Sequence, residues 1–212
     1  MKRFFVIVGL LAAFVLSSAV ASAQLVSDKK IEKDAKKQAK ILIKEGWMVA
    51  PGHPSIEMQQ LKSLKIQNAM DEDFNSKYVQ GSAQAVAPTY DGAKYQATEL
   101  AKIDIAGKIA SELAGIAKTN LGNQQVSPDR AENLVKTIGA YKSYVAAKLV
   151  NIITCVDMYK TDPKSGQNTV SIVIYYNRDE AVKAGMEEIR NQMLKESEEL
   201  AEELDNLLGV KK

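Results

Sequence analysis

The segment AKYQATELAKIDIAGKIASELAGIAK, residues 93–118, carries the strongest structural signal in the chain. Apolar side chains recur in it every three or four positions, which is the spacing of one helix face. They are Ala97, Ala101, Ile105, Ile109, Leu113 and Ile116. Alanine is frequent on this face, so another surface can approach it closely. We predict a long helix over residues 92–118 that needs a second surface to cover its apolar face.

Three segments predict the strands of that surface. Residues 169–176 read TVSIVIYY and residues 150–160 read VNIITCVDMYK, and both are rich in β-branched side chains. The turn sequence DPKSG at 162–166 separates them, so together they predict a β-hairpin. Residues 78–87, YVQGSAQAVA, alternate weakly between apolar and polar side chains and predict a third strand, which Pro88 ends.

Helices are predicted on both sides of these strands. Residues 27–44 form an amphipathic basic helix, and after the turn sequence APGHPS a second helix runs from Ser55 to about residue 70 with Met58 facing inward. Another helix starts at the Ser-Pro pair of 127–128 and gives way to a strand between 140 and 149. The last helix begins after Asn177 and reaches about residue 208.

The resulting order is helix, helix, strand, long helix, helix, hairpin, helix. We predict an α+β fold in which a three-stranded antiparallel sheet packs on the long Ala-rich helix, with the helices on one face of the sheet. Residues 24–77 are a helical N-terminal extension, residues 78–177 the α+β core domain, and residues 178–212 an acidic C-terminal helix.

Residues 1–23 have the three-part pattern of a secretory signal peptide. A basic start, MKR, precedes the apolar run FFVIVGLLAAFVLSSAV, and ASA fits a cleavage site before Gln24. The alternative is a membrane anchor, because the run is close to the length that spans a bilayer. Cleavage is favoured because small residues fill the end of the run. We expect an exported protein, periplasmic or secreted, without stable membrane insertion after cleavage.

The composition excludes several classes of function. The 212 residues include one Cys and one His, so a single chain cannot build a cysteine–histidine zinc site, a CxxC redox pair or a disulfide framework. The net charge of +2 gives no basic footprint for nucleic acid. The chain has no glycine-rich phosphate loop, and we expect neither a metal nor a cofactor.

Few residues are candidates for catalysis. A triad would have to use His53, which lies in a Gly-Pro turn and is expected to face solvent. Cys155 lies within a predicted strand, where we expect a buried small hydrophobe. The acidic stretch 71–75 has the first spacings of a calcium loop but lacks its glycine and its glutamate, so we interpret it as a solvated acidic turn. We therefore expect a protein that is not an enzyme.

Tyrosines are concentrated in the second half of the chain. Tyr141, Tyr144, Tyr159 and Tyr175 are candidates for a ligand or partner surface, because an aromatic patch can bind a sugar or a peptide. The alternative, which we favour, is that these rings pack in a half-buried sheet with their hydroxyls in water.

The two ends of the mature chain differ in charge. Seven lysines lie between positions 29 and 44, whereas eight acidic residues lie between 187 and 205. These are either two solvated helix faces or surfaces that meet, within one chain or between subunits. Any such pairing would rest mainly on apolar contacts, because surface ion pairs contribute little.

Part of the chain resembles the twenty-kilodalton envelope lipoprotein domain, which is related to the N-terminal domain of flagellar assembly protein T. The similar segments are YVQGSAQA at 78–85, AKYQATELAKIDIAGKIASEL at 93–113 and TVSIVIYYN at 169–177. Residues 44–73 resemble an extension found on secreted relatives in Bacteroidetes-type bacteria. The resemblance implies an envelope protein, often oligomeric or adhesive, and supplies no catalytic residues. The lipidated cysteine of that family is missing, so acylation is not implied here.

The sequence thus predicts an exported, non-enzymatic cell-envelope protein that acts through a protein partner or self-association. The alternative is a periplasmic or secreted protein that binds a small ligand or glycan in a Tyr-lined groove.

Overall fold

A computed structural model describes residues 27–123, 136–198, 201, 202, 204 and 205. The elements in chain order are α1 (Asp28–Lys44), α2 (Ile56–Gln67), β1 (Tyr78–Ala87), α3 (Tyr90–Asn123), α4 (Lys142–Lys148), β2 (Ile153–Thr161), β3 (Asn168–Asn177) and α5 (Arg178–Glu196). Residues 136–140 are also helical. The predicted signal peptide and the predicted helix start at 127–128 lie outside the described residues.

The three strands form one antiparallel sheet in the order β1-β3-β2. Tyr78 lies opposite Asn177, and a β-bulge interrupts the pairing of β2 with β3 between Thr154 and Val156. The predicted α+β fold is confirmed, and β1 has the predicted bounds. The predicted change from helix to strand between 140 and 149 is wrong, because Lys142–Lys148 form α4 and β2 begins only at Ile153.

Helix α3 crosses one face of the sheet and forms the main core with it. Val170, Ile172 and Ile174 of β3 point toward α3 and are fully or almost fully buried. Most of the predicted apolar face of α3 is buried as well, whereas Ile116 is exposed. Helix α5 packs on the same core through Ile189 and is therefore part of it. No helix among the described residues combines the length and hydrophobicity of a membrane span.

The opposite face of the sheet is also covered, so the prediction that helices cover one face is wrong. Trp47 and Ile56 pack there with Val156 and Met158 of β2 in a second, smaller apolar cluster. The physical reason is that β2 and β3 carry apolar side chains on both of their faces. Residues 27–67, which we call the arm, supply this cover.

Helix α2 turns a different face inward from the one predicted. Met58 was expected to face inward but is 62% exposed, whereas Ile56, Gln59 and Ser63 are buried. The basic helix α1 packs on α2, and the acidic helix α5 packs on α3 and α4. The basic helix α1 and the acidic helix α5 are thus each buried against other helices, and not against each other, which the sequence left as one possibility.

Polar side chains of α3 cover part of the free edge of β1. The backbone N–H of Ser82 donates to Oδ2 of Asp104 at 3.0 Å, and Nζ of Lys108 donates to the carbonyl oxygen of Gln80 at 2.7 Å. Asp104 and Lys108 also pair with each other one turn apart on α3. This close crossing depends on Gly81, because a Cβ there would collide with the backbone carbonyl of Ala101.

Replacing Gly81 by Ala should therefore push α3 away from β1. We expect Gly81→Ala to lower the free energy of unfolding by at least about 2 kcal/mol, because the colliding atom is backbone and cannot rotate away. Gly115→Ala is the control, since a Cβ there has nothing within 4 Å, and it should stabilise α3 by about 0.5–1 kcal/mol. Urea unfolding measures both variants, and equal effects would contradict the close-crossing argument.

Candidate functional site

A buried carboxylate lies in the middle of β2. Asp157 is opposite Ile172 and is almost fully buried. The hydroxyl of Tyr90 donates to its Oδ1 at 2.8 Å, and Nζ of Lys94 lies 2.6 Å from its Oδ2. Tyr90 and Lys94 are one turn apart at the start of α3, so both reach the same carboxylate. The buried charge is thus paired and hydrogen-bonded, as burial requires.

The only histidine of the chain joins this group, which we call the Asp157 cluster (His53, Tyr90, Lys94 and Asp157). Nδ1 of His53 lies 3.5 Å from Oδ2 of Asp157, and only 33% of the histidine side chain is exposed. Two prolines restrict the backbone of the turn that carries His53, and Gly52 supplies the positive φ of 81° that the turn requires. His53 is only partly exposed to solvent, because this turn folds back onto the sheet.

The Asp157 cluster has the components of an acid–base site but a different geometry. In a catalytic triad the carboxylate holds the histidine by a short hydrogen bond, whereas 3.5 Å is too long for one. The ammonium of Lys94 also occupies the same oxygen and neutralises it, which disfavours a bound cation. Burial, followed by the hydrogen bond to Asp157, raises the pKa of Tyr90 above its usual range, so the phenol stays a neutral donor. The cluster can therefore hold the arm, α3 and β2 together.

The arm also closes the free edge of β2 through hydrogen bonds. Oε1 of Gln59 accepts from the backbone N–H of Asp157 at 2.8 Å, and its Nε2 donates to the Asp157 carbonyl at 3.2 Å. The side-chain amide thus takes the place of a peptide group in a neighbouring strand. Met48 and Tyr159 exchange two backbone hydrogen bonds of 2.8 Å. The unpaired backbone groups of an edge strand can form hydrogen bonds with another chain. Gln59 and Met48 occupy these groups at the free edge of β2.

The four tyrosines singled out from the sequence lie in three different places. Tyr141 and Tyr144 form an edge-to-face pair with ring centroids 6.2 Å apart, and about half of Tyr144 is exposed. Tyr159 packs edge to face on Tyr90, beside the Asp157 cluster. Tyr175 is buried beneath α2 on the opposite face of the sheet. The structure brings together only Tyr141 and Tyr144 of the four.

The hydroxyls of Tyr141 and Tyr175 have different surroundings. That of Tyr175 lies 2.9 Å from the hydroxyl of Ser63 and donates to Oε1 of Gln80 at 3.2 Å. That of Tyr141 is buried and has no hydrogen-bond partner within the described part of the chain. Burial, together with the nearby carboxylate of Glu196, raises the pKa of Tyr141 to about 12.

Cys155 is buried in β2, as expected for a small hydrophobe. Burial raises the pKa of its thiol, and the ammonium of Lys62 opposes this only in part. A thiol with a raised pKa is a poor nucleophile, because the thiolate is the reactive form.

The connection from α2 to β1 presents an aromatic side chain to solvent. Phe74 is 66% exposed and has a φ of 62°, which is rare for a bulky residue. Oδ1 of Asp71 accepts from the backbone N–H groups of Asp73 and Asn75 at 2.9 and 2.8 Å. The carboxylate of Asp71 is therefore used to fix its own loop, in agreement with the interpretation as an acidic turn.

Sequence reasoning missed the residues that form these contacts. For Asp157 a signal existed, because an ionised residue in an otherwise apolar strand requires a partner. Phe74 also carried a signal, because it is the only phenylalanine after the predicted signal peptide. No comparable signal marks Gln59 or Lys94, because glutamine and lysine occur at many exposed positions of the described chain. Only the packing of the arm and α3 against the sheet distinguishes them.

Comparisons with models of protein families, with curated proteins and with solved structures each found no match.

Gln59→Leu should open the edge of β2. The substitution keeps most of the side-chain volume but leaves a backbone N–H and a carbonyl of Asp157 unpaired. We expect the free energy of unfolding to fall by about 1–3 kcal/mol. The control Gln67→Leu, at the exposed end of α2, should change it by less than about 0.5 kcal/mol. Urea unfolding compares them, and equal losses would contradict the edge-closing role of Gln59.

Removing the two buried tyrosine hydroxyls should have opposite effects. Tyr175→Phe leaves Ser63 and Gln80 without their partner and should cost about 1–2 kcal/mol of stability, whereas Tyr141→Phe should be neutral or stabilise by up to about 1 kcal/mol. Because the pKa of Tyr141 is raised from 10.0 to about 12, the unfolded state ionises this phenol before the folded state does. The free energy of unfolding is therefore unaffected by this group below pH 10 and falls as the pH rises toward 12. Urea unfolding at graded pH measures this loss of stability between about pH 10 and 12, and the loss should be smaller in Tyr141→Phe.

Proposed function

We propose that this chain is an exported, non-enzymatic protein of the cell envelope that binds a protein partner through Phe74. The observation that carries the proposal is the exposure of this ring on a loop whose conformation is fixed. The signal-peptide pattern of residues 1–23 supports export, with a periplasmic or secreted mature protein. The resemblance to the envelope lipoprotein domain supports the same compartment and a binding role.

The conformation of the Phe74 loop favours a role in recognition. A phenylalanine with positive φ costs about 1–2 kcal/mol relative to the usual regions, and such strain is concentrated at functional sites. Within this loop the Asp71 carboxylate binds two backbone N–H groups, so the backbone that carries the ring is held in one conformation. A loop with a fixed backbone binds a partner with a smaller loss of conformational entropy.

The charges around Phe74 indicate the chemistry of the partner. Glu72 and Asp73, which precede the ring, are exposed. Asp71 is the third acidic residue of the loop, and Met70 adds exposed apolar surface beside it. A partner that fits this loop has an apolar pocket for the ring and basic side chains around the rim of that pocket.

The surroundings of the reactive groups support a non-enzymatic role. The carboxylate of Asp157 is neutralised by Lys94 and engaged by Tyr90, and His53 lies too far away for a short hydrogen bond to it. The thiol of Cys155 is buried with a raised pKa. These groups are used to attach one segment of the fold to another.

Site-specific photo-crosslinking in the native host tests the partner. A photoreactive phenylalanine analogue at position 74 should give a discrete cross-linked species, whereas the same analogue at Lys164, in the exposed β2–β3 turn, should not. The partner identified by cross-linking is then purified, and Phe74→Ala should weaken the binding of this chain to it at least about tenfold. The double change Glu72→Lys with Asp73→Lys should weaken it further at low salt. Identical cross-linking at both positions would contradict the proposal.

Export is tested separately by the N-terminus of the native protein. Cleavage at the predicted site should leave Gln24 as the first residue, in protein recovered from the periplasm or the medium. N-terminal sequencing of each cell fraction measures this. Protein that keeps residues 1–23 and stays in the cytoplasmic fraction would rule out export while leaving the binding test unaffected.

A further inference from the structure

We propose that the arm exchanges between two copies of this chain, so that the arm of each copy closes the β2 edge of the other. The partner at this edge is a second copy, and the segment that binds is residues 27–67. The segment that extends during exchange, residues 68–77, contains Phe74, so the loop conformation proposed to bind a partner belongs to the chain whose arm is not exchanged.

The arm contacts the sheet at the edge opposite to the one at which the chain continues from the arm. It leads into β1 at one edge of the sheet, whereas its polar contacts are concentrated on β2 at the other edge. Gln59 and Asp157 are 98 positions apart, and Ser63 and Tyr175 are 112 apart. Contacts between such distant positions form slowly, because a long loop has to close first. During folding the β2 edge is therefore open to an arm from another copy.

The contacts of the arm do not depend on which copy supplies it. Met48 pairs with Tyr159, and Gln59 pairs with Asp157. Trp47 packs in the apolar cluster with β2 and also lies under the ammonium of Lys160, 4.8 Å from the ring centroid. Each contact joins one arm residue to one residue of the sheet, so all of them are kept when the two residues belong to different copies.

The connection between the arm and β1, residues 68–77, favours opening. We call it the hinge. In the closed hinge Phe74 is held at a φ of 62°, and an extended hinge relieves this conformation at both exchanged connections. Ten extended residues span roughly 33 Å, which gives the arm the reach to bind a second copy. The backbone strain at Phe74 is the feature of this hinge that favours exchange.

The hydrogen bonds that close the hinge oppose opening only weakly. The backbone N–H of Lys77 donates to the carbonyl of Ala69, and that of Asp71 donates to the carbonyl of Asn75. The carboxylate of Asp71 also accepts from the backbone N–H groups of Asp73 and Asn75, and these two bonds help to close the hinge. Asn75 and Lys77 are exposed, so water replaces the lost partners when the hinge extends. What remains is the entropy cost of association, which makes exchange depend on protein concentration.

A disulfide between the arm and the sheet distinguishes exchange from attachment within one chain. Met48 and Tyr159 are a hydrogen-bonded antiparallel pair, whose Cα separation of about 5.5 Å suits a disulfide. The full chain carrying Met48→Cys and Tyr159→Cys, with Cys155→Ala to remove the native thiol, is refolded from denaturant at graded concentrations and then oxidised. We expect a covalent dimer on non-reducing gels whose fraction rises with concentration and which reduction converts to monomer.

The control disulfide lies within the sheet. Gln84→Cys with Ser171→Cys, in the same Cys155→Ala background, joins β1 to β3, and neither residue belongs to the arm. This pair should give only intramolecular crosslinks at every concentration. A concentration-dependent covalent dimer in the control as well would assign the dimer to a contact other than arm exchange and overturn the proposal.

Two hinge variants separate backbone strain from the aromatic ring. Phe74→Asn accepts positive φ readily, so it should lower the dimer association constant by about thirtyfold or more, because the relief of strain is lost at both connections. Phe74→Ala removes the ring but keeps the strain, and it should leave the dimer unchanged. The same Phe74→Ala change abolishes the proposed partner contact, so the failure of one proposal is distinguishable from that of the other.

Only intramolecular crosslinks between positions 48 and 159 at all concentrations would overturn arm exchange.

Discussion

A sheet of three strands has two free edges, and the structure depends on supplying hydrogen-bond partners for both. At β1, Asp104 of α3 accepts from a backbone N–H and Lys108 donates to a backbone carbonyl. At β2, the amide of Gln59 and the backbone of Met48 fulfil the same roles. Lys62 adds a donor to the carbonyl of Thr154. Unpaired edges favour aggregation, so the helices that cover the faces of the sheet also protect its sides.

These edge contacts determine where the helices lie. Helix α3 has to pass close enough to β1 for the short carboxylate of Asp104 to reach it, and Gly81 leaves room for the backbone of α3 at Ala101. The arm has to reach across the sheet to β2, and the small apolar cluster around Trp47 anchors it there. The polar contacts fix the register of the arm, because each side-chain amide or backbone group meets one defined partner on the strand.

The polar side chains around the sheet hold separate parts of the fold together. His53, Lys94 and Asp157 are the groups from which acid–base chemistry could be built, and they join the arm and α3 to the sheet. Phe74 is different, because its ring is exposed and its backbone is strained without serving the core. A surface residue whose conformation is costly and whose side chain packs on little of its own chain is suited to contact another molecule.

The sequence by itself determined the α+β fold, the long helix at 92–118, the strand at 78–87 and the hairpin, because local periodicity records which side of an element is buried. It also determined that Cys155 is buried, since a strand of β-branched residues surrounds it. Only the tertiary structure decided that Gln59 faces inward while Met58 is exposed, and that His53 reaches Asp157. The physical reason is that a polar side chain is buried only where a partner satisfies it, and here those partners lie about a hundred positions away along the chain.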